Sequence, residues 1–270
     1  MDESATYTHG HHASVLRSHT WRTARNSASF LLPHLQPDMH ILDIGCGPGT
    51  ISADLATYVP QGTVTALDYE RAIVEQAHSL AVERGLENMD FVQGNVHALQ
   101  FPNQTFDVVF AHQVLQHIGD PVQALREMKR ITKPGGIVAV RDSDYAAFTW
   151  FPDIPLLKQW QSTYHTVATA NGGDPEAGKK LHYWARQAGY DMARVDRTAS
   201  CWVYSRPEEV KWWSSLWAER LVKSSFATTG VERGVVSMEE LQQLARGWRE
   251  WGDSKDAWFS VPSGEILCRV

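Results

Sequence analysis

Between about residues 39 and 142 the chain alternates short apolar runs with segments of helical period. The runs are Ile41-Leu42-Asp43-Ile44, stopped by Gly45; Val64-Thr65-Ala66-Leu67, ending at Asp68; Phe91-Val92, stopped by Gly94; 106–111; and Ile137-Val138-Ala139-Val140. Unbroken apolar runs bounded by turn residues are the pattern of strands buried on both faces of a parallel sheet. Residues 50–58 supply a short helix, and 71–86 place Ile73, Ala77, Leu80 and Ala81 on one helical face, with Gly85 near the end. Asp120-Pro121 starts a third helix, with Asp as cap and Pro in the first turn. Val122, Leu125, Met128 and Ile131 follow, and Lys133-Pro134-Gly135-Gly136 stops it. Five such units in succession predict an α/β protein with an open, mostly parallel sheet and helices on both faces.

After the fifth strand the alternation stops. Residues 154–170 and 175–188 read as helices, and a strand is expected within 191–204. Ser205 with Glu208, and Ser237 with Glu240, carry the spacing of capping boxes. The first precedes an apolar face of Val210, Trp213, Trp217 and Leu221; the second precedes Leu241, Leu244, Trp248 and Trp251. Residues 265–268 read as a closing strand. Without a Pro/Ser linker or charge run, the expectation is one domain over 1–270. Within it, 1–36 form an N-terminal lid or helix and 37–145 the sheet core. Residues 146–257 are helical insertions around the sixth strand, and 258–270 hold the last strand.

Composition sharpens this division. Residues 1–145 carry 10 Lys+Arg against 16 Asp+Glu, while 146–270 carry 15 of each. Neither half offers the basic surface that a phosphate backbone needs, so nucleic acid is not expected as a partner. Ten of the 11 tryptophans follow residue 149. Cys46, Cys201 and Cys268 are too scattered for a disulfide framework or a zinc site. The acidic opening Met1-Asp2-Glu3-Ser4 has neither the basic nor the apolar region of a signal peptide. No stretch has the length of apolar sequence that a membrane span needs. A cytoplasmic protein is expected.

The candidate chemistry begins at Gly45-Cys46-Gly47-Pro48-Gly49, between the first strand and first helix, where open α/β sheets bind ligands. Glycines there let backbone approach a ligand closely. Asp68 ends the next strand and can accept hydrogen bonds from both hydroxyls of a ribose. Dinucleotide binding wants G-x-G-x-x-G, whereas here the third glycine comes one residue early and Thr50 occupies its place. A G-x-x-x-x-G-K-[ST] phosphate loop is absent.

In these residues the chain resembles the class I S-adenosylmethionine-dependent methyltransferases, in particular the small-molecule branch that includes ubiquinone and menaquinone methyltransferases. The resemblance covers about residues 37–142. It rests on the run 41–49, on Asp68, on Gly94-Asn95-Val96, on 106–110 with Val114-Leu115-Gln116-His117-Ile118, and on Lys133-Pro134-Gly135-Gly136. It implies a Rossmann-like, seven-stranded sheet, the cofactor S-adenosyl-L-methionine and the product S-adenosyl-L-homocysteine. Gly45, Cys46, Gly47 and Gly49 would lie along the methionine part. Asp43 would receive the ammonium with the carbonyl near Ala111, beside His112. Asp68 would hold the ribose, Tyr69 pack on the adenine, and Asn95 with the Val96 N–H read its edge.

The acceptor side is read more openly. His117 follows the fourth strand near the reacting centre, as either a base or a structural histidine. Tyr7 and His12 belong to an unusual His-rich stretch that reads as a lid over the acceptor, as a metal site or as a frayed terminus; without an accompanying acid or Cys cluster, no metal is expected. Asp142 and Asp144 end the fifth strand on the acceptor side, with Tyr145 next. Trp213, like its neighbours, is either core or an aromatic pocket wall. The expected reaction is methyl transfer to an O, N or C atom of a small apolar or aromatic molecule. The alternative is a cofactor-binding regulator or cyclase that does not methylate.

Overall fold

The computed structural model describes residues 21–270, so Tyr7, His12 and most of the expected lid lie outside the described residues. Five strands, β1 (His40–Ile44), β2 (Thr63–Asp68), β3 (Met89–Gln93), β4 (Phe106–His112) and β5 (Thr132–Ser143), lie parallel in the order β3-β2-β1-β4-β5. The last strand, β8 (Trp258–Arg269), runs antiparallel along β5. Its other edge carries β7 (Val195–Tyr204), also antiparallel. Eight strands form the sheet rather than the seven expected. The extra one is the three-residue β6 (Thr149–Phe151). Ser260 of β8 is flanked by Thr149 and Val203, and Ser263 by Ser143 and Ser200, so β6 prolongs the edge that β5 vacates.

Alternation along the strands sends one residue of each pair to each face. Leu42, Val109, Val138 and Ile266 pack on α4 (Pro121–Ile131) and α6 (Ala177–Gln187) through Leu125, Met128, Leu181 and Trp184. Their neighbours Ile41, Val108, Ala139 and Leu267 face the opposite layer, where α1 (Ala24–Ser27) and α2 (Thr50–Tyr58) supply Ala24, Ile51 and Leu55. Beside α2, α3 (Arg71–Glu83) seats Ala77 against Cys46 and Ala66. At the amino edge Asp107 of β4 accepts from the His40 N–H (2.8 Å) and pairs with Lys133 Nζ (2.8 Å). Two of the family-like motifs are thereby a structural clasp far from the ligand edge. The Lys133 partner outweighs the desolvation of Asp107 and holds its carboxyl below the ordinary range.

The tryptophans build a third core. Helices α5 (Pro155–Ala170), α7 (Pro207–Lys223), α8 (Ser225–Glu232) and α9 (Met238–Gly252) enclose it over β6 and β8. Trp160 is fully buried, 4.6 Å from Trp217 and 4.8 Å from Trp248, with both contacts edge to face. Rings at such geometry gain quadrupole attraction beyond area burial. Two local expectations need correction. Glu209, not Glu208, closes the start of α7, accepting from the Ser205 and Arg206 N–H groups, because proline at 207 shifts the first turn by one residue. Helix α8 was not expected; Ser224 caps it directly after α7 ends. The Ser237–Glu240 box forms as read.

Candidate active site

The loops after β1, β2, β3, β4 and β5 all emerge at the carboxyl edge of the parallel strands, which brings most of the expected residues together. Gly45, Gly47 and Gly49 have φ of +67°, +55° and +84°. At Gly45 an added Cβ would lie 2.5 Å from Val114 Cγ2, and at Gly49 2.8 Å from Ala77 Cβ. Both positions require a bare backbone on two counts, hand and space.

Asp68 braces this loop. One carboxylate oxygen accepts from the Gly47 N–H at 3.0 Å and the other from the Glu70 N–H at 3.1 Å. Asp43 lies beneath, 2 % exposed, and accepts from Ser52 Oγ at 2.5 Å. Burial pushes its carboxyl up to about 7, the Ser52 hydroxyl opposes this, and Asp68 adds to it. Burial also lifts the Cys46 thiol well above its ordinary range, so Cys46 is a packed hydrophobe rather than a nucleophile. Tyr69 is 59 % exposed next to Asp68, available to cover a flat ring. Asn95 Oδ1 accepts from the His97 N–H at 2.9 Å and so shapes its own turn, while Val96 is anchored in the core.

Ala111 is buried at the end of β4, in register with Ile44 and Val140. His112 turns its ring into the sheet, where Arg141 Nη1 lies 2.8 Å from its Nε2. A guanidinium only donates, so His112 Nε2 accepts and the ring is neutral. Arg141, Glu265 and Thr198 continue this row across three strands in register. Glu265 accepts from Ser200 Oγ (2.5 Å) and Thr198 Oγ1 (2.8 Å) and lies 3.4 Å from Arg141 Nε, so a buried ion pair is satisfied laterally.

On the acceptor side, His117 sits in a short turn after β4, 3.0 Å from Gln116 Nε2. Burial pushes its imidazole down to about 3, and Arg22 and Arg220 push the same way. Asp142 is fully buried; its carboxyl accepts from the Gln116 N–H (3.2 Å) and burial lifts it to about 7. Asp144 caps the turn at Tyr145, accepting from the Ala146 N–H. Tyr145 is stacked 4.0 Å from Tyr164. Trp213 is 6 % exposed and lies face to face on Tyr204 at 4.3 Å, inside the aromatic core.

Several polar residues of this region were not singled out from the sequence. Gln113 holds φ +55° directly after β4, a conformation a side-chain-bearing residue rarely adopts outside functional corners. It links Arg22 to Ser143. Arg220 is 4 % exposed on the face that carries Trp213 and Trp217, with its guanidinium 4.7 Å from the Trp217 ring. A cation within an apolar stripe was a readable signal. Among the described residues no group of three or more His, Cys, Asp or Glu could hold a metal, and no helix is long and apolar enough to cross a membrane.

Residues 35–189 match a family model described as a methyltransferase domain. An uncharacterized methyltransferase of Schizosaccharomyces pombe is 32 % identical over 272 residues, covering 97 % of this chain and 95 % of its own. The demethylmenaquinone methyltransferase of Listeria monocytogenes is 34 % identical over 170 residues, 62 % of this chain and 69 % of its own. Phosphoethanolamine N-methyltransferase 2 of Haemonchus contortus was solved with phosphomonomethylethanolamine and S-adenosylhomocysteine. It shares the fold at a TM-score of 0.53 and 16 % identity, over 87 % of this chain and 49 % of that one.

Proposed function

The chain belongs to the methyltransferase domain family and depends on S-adenosylmethionine, and on that premise we propose that it methylates an O, N or C atom of a small apolar or aromatic molecule. The observation that carries the cofactor half is the glycine loop: three left-handed glycines whose turn Asp68 holds by the Gly47 N–H. The donor set suits the cofactor. Bare backbone at Gly45, Gly47 and Gly49, beside Cys46, accommodates an extended amino-acid moiety, and the buried Asp43 with the Ala111 carbonyl favours an ammonium. Asp68 takes the ribose diol, Tyr69 covers the adenine, and Asn95, Val96 and His112 frame the remaining walls.

When bound, the cofactor supplies a methyl group on a sulfonium that an in-line nucleophile displaces. The work left to this chain is positioning, for which the reacting atoms must be held about 3–3.5 Å apart. Tyr145, Asp144 and His117 stand at the end of β5 and the turn after β4, where an acceptor would face the cofactor loop. Tyr7, His12 and Trp213 complete the proposed acceptor surroundings. The 146–257 insertions form the roof of the same unit, and the proposed partner is a small molecule rather than nucleic acid. A cytoplasmic location is part of this reading, supported by three free thiols.

Incubation with S-adenosylmethionine and a panel of phenols, quinols and amines tests the proposal. Acceptor-dependent release of S-adenosylhomocysteine is expected. Tight cofactor binding with no methylated product from any class would favour a non-methylating cyclase or regulator.

A further inference from the structure

Gln116 decides the chemistry of the ring beside it. It is 4 % exposed, and its Oε1 accepts from the Ser143 N–H at 3.3 Å, which only the oxygen end of the amide can do. That orientation turns the NH2 toward His117, 3.0 Å from its Nε2. An amide NH2 only donates, so His117 Nε2 accepts and the proton of the neutral ring sits on Nδ1. The nitrogen that a base would use is engaged; the other carries a hydrogen to give.

The groups around the ring point the same way. Arg22, ahead of α1, and Arg220, on α7, both lie close enough to act on His117, Tyr145 and Tyr204. Arg22 Nη2 donates to Gln113 Oε1, whose NH2 donates to Ser143 Oγ, so the amide acceptor there already serves the guanidinium. Burial raises the phenols of Tyr145 and Tyr204, which therefore keep their protons. Asp142, on β5, is held toward its protonated form. From α1, β4, β5, β7 and α7 the side chains thus present N–H and O–H donors and two cations.

We propose that this cluster recognises an oxyanion on the methyl acceptor, a carboxylate or a phenolate, through Arg22, Arg220 and the His117 Nδ1–H, with Gln116 as the residue that positions His117. An oxyanion offers only acceptors, and charge-assisted hydrogen bonds to it are about twice as strong as neutral ones. His117 is then a donor to the acceptor rather than the base that removes its proton. The inference rests on the methyltransferase reading for the identity of its ligand, but the cluster's preference for an anion can be measured apart from that reading.

The protein is titrated calorimetrically with benzoate and methyl benzoate, and with 4-nitrophenol and 4-nitroanisole, each with and without saturating S-adenosylhomocysteine. The benzoate pair reads carboxylate recognition; the nitrophenol pair reads phenolate, whose absorbance also reports its ionisation in the site. At least one acid is expected to bind about tenfold or more tighter than its neutral ether or ester. Arg220→Met should abolish that preference while cofactor affinity stays, and Arg220→Lys, which keeps the charge, should retain most of it. In 15N spectra of the imidazoles, His117 should show a protonated Nδ1 and a bare Nε2, and Gln116→Leu should mix the two tautomers. Equal or tighter binding of both neutral analogues, no binding of either acid, or an Nε2-protonated His117 would overturn the proposal. Failure to bind S-adenosylhomocysteine would instead count against the methyltransferase reading and leave the acid-against-ester comparison to be judged alone.

Discussion

Asp68→Asn separates two roles that the structure superimposes on one carboxylate. Its two oxygens accept the N–H groups of Gly47 and Glu70 at 3.0 and 3.1 Å, and the same oxygens are the proposed acceptors for a ribose diol. Hydrogen bonds to a charged group contribute about 1.5–3 kcal/mol each. Asparagine keeps one acceptor and turns an NH2 against the other backbone N–H, so the loop loses one such bond, about 1.5–3 kcal/mol. For a chain of this size that lowers Tm by about 2–4 °C per kcal/mol. If the diol also uses Asp68, cofactor binding loses a comparable amount on its own account, and with about 1.4 kcal/mol per tenfold Kd rises roughly 10- to 100-fold. Calorimetric titration with S-adenosylmethionine, alongside thermal unfolding of the free protein, reads the two effects separately. A lowered Tm with Kd unchanged within about twofold would make Asp68 a loop brace only and refute the ribose assignment.

Other variants test the packing and the buried charges. Gly49→Ala adds a Cβ 2.8 Å from Ala77 Cβ and 2.9 Å from its Cα at φ +84°, so overpacking and the left-handed backbone together should cost about 2–5 kcal/mol in urea unfolding. Ala77→Gly should recover only the steric share, and full recovery would disprove the backbone part. Asp43 is raised to about 7, so between the ordinary carboxyl range and pH 7 the folded state holds a proton that the unfolded chain has released. Its contribution to stability therefore falls as pH rises through that window and is flat above it. Asp142 behaves alike, while His117, lowered to about 3, acts oppositely below its ordinary value of 6.5. Asp43→Asn should gain stability relative to the parent from pH 4.5 to pH 7 in paired unfolding curves, at steps of about half a pH unit; a constant difference would show that Asp43 titrates normally. Trp160→Ala empties the centre of the aromatic core and should cost about 3–5 kcal/mol; a loss below about 1 kcal/mol would mean the cluster repacks.

What could be read from sequence follows the range of the interactions involved. The five parallel strands were legible because each is buried on both faces and so is written as an uninterrupted apolar run. β8 was read only at 265–268, yet it spans Trp258–Arg269. Its first half contains Pro262, Ser263 and Gly264, which look like a turn, and it is a strand because β6, β5 and β7 pair with it from both sides. The tryptophan stripes allowed either a core or a pocket. Trp160, Trp217, Trp248 and Trp251, all essentially without exposure, pack as core.

The two halves of the site differ in the same way. The glycine loop, Asp43 and Asp68 act across a strand and the turn that follows it, so spacing alone brought them together. The acceptor side joins Arg22 to Gln113 over 91 residues and Gln116 to Ser143 over 27, through tertiary contacts that no local period encodes. Its one local trace is Arg220, three residues after Trp217 on a face otherwise written for burial. Burying a guanidinium there costs several kcal/mol unless charge or hydrogen bonding offsets it. A cation where the helical period asks for leucine therefore marks the acceptor chamber better than the tryptophans around it, whose burial the aromatic core already explains.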